Sequence, residues 1–219
     1  MEQTHKHPPD LVTERLLLRP FTLADASRVQ RLAGERVIAE FTLNIPHPYQ
    51  AGMAEEWILS HPGNFLAGKS ATFAITLAGE RLLIGAIGLQ CEERHHRAEM
   101  GYWMGTPYWN RGYCTEAASA VLHYAFETRG IHRVVASHLA RNPASGRVMR
   151  KIGMRQEGYL REHVLKWDRY EDLVLYGILR EDWEALPAVA RPDTAKAGGA
   201  ALEGGPAALS ATVSTVGSA

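Results

Sequence analysis

The chain is poor in cysteine, with only Cys91 and Cys114 among 219 residues. Two lone thiols make neither a disulfide framework nor paired zinc-ligand spacing, which points to a reducing, cytoplasmic compartment. It also lacks an excess of either charge. Lys plus Arg and Asp plus Glu each number 24, so no global basic field draws the chain onto nucleic acid or an anionic membrane. Any polyanion must then be met by a local site, and neither a direct nucleic-acid partner nor a membrane is expected. Long apolar runs are missing too: residues 82–89 are the longest, far short of the ~20 a membrane helix needs. The opening MEQTHKHPPD is polar and has no signal-peptide character. Aromatics are absent after Trp183, and residues 187–219 hold ten Ala, five Gly and four charged residues. Such a stretch buries too little to offset its ordering entropy. The expected organisation is a flexible leader at 1–11, one domain at 12–186, and an Ala/Gly-rich disordered tail at 187–219.

Within the domain, helical and strand periods alternate. Residues 15–19 (RLLLR) read as a first strand, and Thr22 to Asp25 as a capping box opening a helix to about Ala33. A helix is expected at 51–59, with Met53, Ala54, Trp57 and Ile58 on one face. Alternation at Phe73, Ile75 and Leu77, and the apolar run 83–89, predict two strands. A polar turn at 92–97 leads into a fourth strand at 98–105. The best helical stripe runs over 115–129 through Ala118, Val121, Leu122, Ala125 and Phe126, and Gly130 ends it. A fifth strand at 134–138, a short helix at 144–152 closed by Gly153, and a last strand at 172–179 follow. This is an α/β pattern with a mixed sheet.

The chemistry is concentrated in Tyr108-Trp-Asn-Arg-Gly-Tyr-Cys-Thr-Glu-Ala117, between a strand and the strongest helix. A glycine at such a turn lets backbone N–H groups approach an anion, and the helix N-terminus adds its partial positive charge. Gly112 is the residue where only hydrogen fits, with Asn110, Arg111, Tyr113, Cys114 and Thr115 supplying N–H groups. The same residues also suit a plain turn with Thr115 as N-cap. A second cluster, Arg141, Arg147, Arg150, Lys151 and Arg155, contains no acidic residue and follows another capped helix start, Asn142-Pro-Ala-Ser145. Taken alone it also fits a solvated helix face. Two helix N-termini after neighbouring strands suit a ligand with several phosphates, yet neither a Walker lysine nor GxGxxG is present. His95 and His96 have no matching metal-ligand set, and a surface pair is the simpler reading.

The motif YWxxGYxxEA, followed by NxxSxxxxxKxGM, resembles the GNAT superfamily of acetyl-CoA-dependent N-acetyltransferases. The opening TERLLLRPF and the closing YEDLVLYGIL resemble its RimJ/RimL-type branch, which acetylates protein N-termini. The likeness spans residues 12–183. It implies a mostly antiparallel mixed sheet with flanking helices and a splayed pair of central parallel strands. It implies acetyl-CoA as co-substrate and no metal. Two positions depart from the common pattern: Trp109 stands at the first position of the pyrophosphate motif, and Cys114 replaces its usual small residue. The resemblance places the pyrophosphate on N–H groups from Arg111 to Thr115 and the pantetheine beside Tyr102, Trp103 and Met104. It sets Asn142 on the pantetheine arm and Arg147 or Lys151 on the nucleotide phosphates.

Acyl transfer from a thioester to an amine needs a neutral amine, a stabilised oxyanion and a protonated leaving group. An α-amine of pKa near ~8 costs only ~1.4 kcal/mol to neutralise at pH 7, whereas a lysine near ~10.4 costs over ~4 kcal/mol. A protein N-terminus therefore needs only a weak base. Glu99 on the fourth strand is the candidate, through water, with a surface carboxylate as the plain alternative and Asp172 in reserve. Many family members carry a tyrosine four residues after Ser145, where this chain has Met149. Ser145 is then the nearest hydroxyl for the acid, or a helix cap. A strand-four N–H near Trp103 or Met104 would meet the oxyanion. Loop residues 41–49 line the choice between a protein N-terminus and a small amine. A CoA-binding module without turnover is the reading from another class, and the oligomeric state is left open, a homodimer included.

Overall fold

The computed structural model describes residues 6–187. Nearly all of the expected tail lies outside the described residues. The chain runs through β1 (Leu11–Val12), β2 (Leu16–Arg19), α1 (Ala26–Ala33), α2 (Arg36–Phe41), α3 (Met53–Leu66), β3 (Ser70–Leu77) and β4 (Leu83–Glu92). It continues through β5 (Arg97–Met104), α4 (Tyr113–His123), β6 (Arg133–Leu139), α5 (Pro143–Lys151), β7 (Arg155–Lys166), β8 (Arg169–Leu179) and α6 (Arg180–Glu184). Eight strands form one sheet in the order β1-β2-β3-β4-β5-β6-β8-β7. Every neighbouring pair is antiparallel except β5 and β6.

Apolar side chains cover both faces of the sheet. On one face Ala98, Met100 and Met104 of β5 pack with Ala118, Val121 and Leu122 of α4 and Met149 and Ile152 of α5. On the other, Ala74 and Ala86 meet Val29 and Ala33 of α1 and Ala54 and Ile58 of α3. The sheet is thus the middle layer of three. The capping box at the first helix is present: the Asp25 carboxylate accepts the Thr22 N–H at 2.9 Å and pairs with Arg19 at 2.7 Å.

Several elements differ from the sequence expectation. Pro8 and Leu11, in the expected leader, are buried, and Leu11 pairs with Leu18, so the folded unit begins before residue 12. The second helix extends through Pro62 to Leu66, because Phe65 in its last turn still packs on the core. The best helix starts two residues early, at Tyr113, and ends in a wider π-helical turn at Tyr124–Thr128. There the Arg129 N–H reaches the Tyr124 carbonyl at 3.1 Å, and Tyr124, Ala125 and Phe126 are all buried. Strands β1 and β7 and helices α2 and α6 carry too weak a period to be read from the sequence.

Candidate active site

The parallel pairing of β5 with β6 stops after three steps, at Arg97 with Arg133, Ala98 with Val134 and Glu99 with Val135. Beyond Glu99 the strands diverge, each held by its outer neighbour. The opening lies in a cleft of about 1620 Å³ bordered by the N-termini of α4 and α5. The cleft brings together thirteen of the fourteen expected site residues. Arg111 alone stands outside it, exposed, with its carbonyl accepting the Arg15 Nη1–H at 3.0 Å.

Strand alternation decides which backbone groups face the opening. The Gly105 N–H bonds the Ile84 carbonyl on β4, so Trp103, two residues before it, also turns its N–H and C=O to β4, where it pairs with Ala86. Tyr102 and Met104 are left as the lip. Trp103 therefore offers no edge group to a pantetheine or an oxyanion; its side chain packs on the far-face cluster that includes Val29, Ala33, Ala54 and Ala86. The Met104 carbonyl is already taken by the Trp109 indole N–H at 2.6 Å, which leaves the Met104 N–H.

The turn into α4 has the form of an anion cradle. Asn110 and Gly112 are left-handed, with φ of 59° and 81°, and the first helical bond is from the Glu116 N–H to the Gly112 carbonyl at 3.1 Å. The N–H groups of Tyr113, Cys114 and Thr115 thus have no acceptor within the helix. A Cβ on Gly112 would be strained at that φ and would stand 3.3 Å from Arg15 Nη2. The helix is capped by Gly112, so Thr115 is not its N-cap. Sequence reasoning missed what fastens this turn. Glu116 accepts the Arg15 backbone N–H at 2.9 Å, its Nε–H at 2.7 Å and the Thr13 hydroxyl at 2.6 Å. The TER of the opening segment and the glutamate of YWxxGYxxEA are physical partners.

The basic run separates into two groups. Arg141 pairs with Glu40 and Glu171, Arg150 donates to the Tyr176 hydroxyl, and Arg155 pairs with Asp182. Arg147 and Lys151 line the cleft, are exposed, and carry no ion pair among the described residues. Orphan N–H groups, a glycine turn and two unspent cations together fit the diphosphate and nucleotide phosphate of CoA.

At the fork of the strands, Glu99 is exposed and accepts a long contact from Ser137 Oγ at 3.5 Å across the splay. Asp172, the reserve base, lies outside the cleft, accepting the Tyr159 hydroxyl and the Glu162 N–H. Asn142 is the N-cap of α5, its side-chain oxygen taking the Ser145 N–H at 3.3 Å. Ser145 is thereby free of capping, and its Oγ lies 2.8 Å from the Tyr102 hydroxyl. Burial raises the Tyr102 pKa above its ordinary value, so the phenol stays a donor. Burial likewise pushes the Cys114 thiol up to about 12, which excludes it as a nucleophile at neutral pH. His95 and His96 lie in the turn before β5, with His95 3.4 Å from Glu92.

Comparison with known proteins agrees with this geometry. The GNAT acetyltransferase domain model matches residues 15–155, and the chain belongs to that family. The uncharacterized N-acetyltransferase YnaD of Bacillus subtilis (strain 168) is 32% identical over 173 residues, covering 79% of this chain and 98% of its own. The ribosomal protein uS5-alanine N-acetyltransferase of Escherichia coli (strain K12) is 28% identical over 118 residues, 53% of this chain and 61% of that one. A GNAT-family acetyltransferase structure from Bacillus anthracis superimposes with a TM-score of 0.71 at 30% identity, over 78% of this chain and 99% of that one. The protein is an acetyl-CoA-dependent N-acetyltransferase of the GNAT type.

Proposed function

We propose that the acceptor is the α-amino group of a protein or peptide N-terminus, acetylated by direct transfer in a ternary complex. The observation that carries the reading is the placement of two polar groups about one splay. Glu99 stands on the face of β5 shared with Trp103, and Tyr102 with Ser145 on the face shared with Met100 and Met104. A single exposed carboxylate is a weak base, which suits an α-amine and not a lysine.

In this mechanism Glu99 takes a proton from the acceptor ammonium through water, and the freed amine attacks the thioester carbonyl. The Met104 N–H meets the oxyanion. As the C–S bond breaks, its electron pair passes to sulfur, which takes a proton from the hydroxyl pair; the proton shed by the attacking nitrogen as the amide forms returns through water to that pair, and Glu99 releases its own proton to solvent. N–H groups at Tyr113 to Thr115, with Arg147 and Lys151, hold the phosphates, and the Asn142 side-chain NH₂ serves the pantetheine arm. The uS5-alanine acetyltransferase relative supports a protein acceptor.

The test is thiol release from acetyl-CoA with peptides bearing free N-termini, Nα-blocked peptides containing lysine, polyamines and amino acids. Release with free N-termini alone is expected. Release only with lysine-containing blocked peptides or with small amines would assign another acceptor class.

A further inference from the structure

Residues 42–51 between α2 and α3 contain no helix or strand, yet Leu43, Ile45 and Tyr49, with Phe41 at the end of α2, line the cleft. Lys166 Nζ reaches the Leu43 carbonyl at 3.4 Å and His47 lies against Trp167, and at the point where the loop leaves α2 the contacts converge on one side chain. Arg141 Nη1 donates to Glu40 Oε1 at 3.1 Å, and Nη2 donates to the Glu40 carbonyl at 2.7 Å. That carbonyl lies in the last turn of α2, where the helix itself supplies no donor. The guanidinium also lies over the Phe41 ring, 5.1 Å from its centroid. Its third nitrogen, Nε, is anchored at 2.9 Å on Glu171, whose side chain is only 7% exposed.

Arg141 belongs to the turn that carries Asn142 and Ser145, and that turn is held without it. The Ala140 N–H bonds the Asp172 carbonyl at 2.9 Å, and the Asn142 N–H bonds the Leu139 carbonyl at 2.7 Å. The arginine therefore reaches from the turn before α5 to the last turn of α2, from which the irregular loop leaves. A planar fork satisfying three acceptors in fixed directions sets orientation in a way a lysine point charge does not.

We propose that Arg141 is a positioning residue for the acceptor: it staples the loop at 41–49 to the turn bearing Asn142 and Ser145, and so sets acceptor affinity without holding acetyl-CoA. The proposal rests on acetyl transfer in this cleft and not on which amine is used. Arg141→Gln is expected to raise the acceptor KM about tenfold, with kcat and the Kd for CoA nearly unchanged. Because that change leaves the buried Glu171 with Arg169 at 3.6 Å and the nearby Lys166 as its cations among the described residues, a second variant spares it. Glu40→Gln keeps the Arg141–Glu171 pair and should raise the acceptor KM about threefold. Hydrogen exchange supplies a readout independent of turnover: both variants should speed exchange at 41–49 and leave 142–151 protected. Unchanged exchange at 41–49 overturns the staple even if no acceptor is found. CoA binding that weakens in step with acceptor binding overturns it as well, since the role would then be structural. Failure of the wild-type protein to turn over any amine would instead count against the proposed acceptor reading.

Discussion

Tyr102 and Ser145 are 43 positions apart in the chain and meet across the opening between β5 and α5. Burial raises the phenol's pKa, so it keeps its proton, which lies within reach of both Ser145 Oγ at 2.8 Å and the Ser145 carbonyl at 3.2 Å; either hydroxyl can donate to the other, so the two form one hydrogen-bonded pair beside the leaving sulfur. Tyr102→Phe keeps the ring and should lower kcat about tenfold to 10²-fold, with CoA affinity retained. Ser145→Ala should do the same, and the double variant should fall no further, because the two act as one unit. Additive losses in steady-state kinetics would separate them. Glu99→Gln should cost more rate at low pH than at high pH, since a neutral amine at high pH no longer needs a base. A pH–rate profile with equal loss throughout would point to a structural role. Alternation with Ala98, Met100 and Met104 places Tyr102 on the α4 side of the sheet. Its partner was not legible, because no local period relates a strand residue to a helix start so far along the chain.

At the scale of elements, α5 lies so close to β6 that a Cβ on Gly146 would stand 2.6 Å from His138 Nε2. That imidazole cannot easily retreat. It is 9% exposed, its Nδ1 lies 2.8 Å from the Leu139 carbonyl, and it packs on Tyr176 with centroids 5.7 Å apart. Gly146→Ala gains about 1 kcal/mol in helix propensity. Overpacking costs about 1–3 kcal/mol. The clash should win, lowering the urea midpoint although alanine is the better helix former. A raised midpoint would mean that His138 has room to turn. Legibility differed among elements for a physical reason. Periodicity reports a buried face, and α1, α4 and β3 each have one. Strand β7 is an edge strand, mostly exposed, with its register shifted between Leu160 and Val164, so its residues show no alternation to read.

For the whole molecule, pH stability should follow His61, wedged between Phe21 and Trp57 at 5.4 and 4.5 Å. Both ring nitrogens are buried without a hydrogen-bond partner among the described residues, and burial lowers the pKa to about 4 from 6.5. The folded state therefore favours the neutral ring. Its stability contribution is full above pH 6.5 and is lost as pH falls toward 4, where the unfolded chain binds the proton more readily. The loss amounts to up to about 3 kcal/mol. His61→Phe should flatten the fall in Tm between pH 6.5 and 4. Parallel curves for the two proteins would assign the acid loss to other groups. Asp25 has the same sign at lower pH: burial alone would raise its carboxyl, but the Arg19 and Thr22 hydrogen bonds outweigh it and lower the pKa.

Family, fold class and the glycine turn before α4 were determined by the sequence itself, because an amphipathic stripe, a glycine before a helix and an ordered set of motifs are local features. The zero net charge implied only that any polyanion site would be local. Tertiary structure alone decided how that charge was spent. It committed Arg141, Arg150 and Arg155 to internal partners, left Arg147 and Lys151 at the cleft, turned the Trp103 backbone away from the opening, and joined Tyr102 to Ser145. These outcomes depend on strand pairing and on helix seating against the sheet, where a one-residue step reverses the direction of every backbone group.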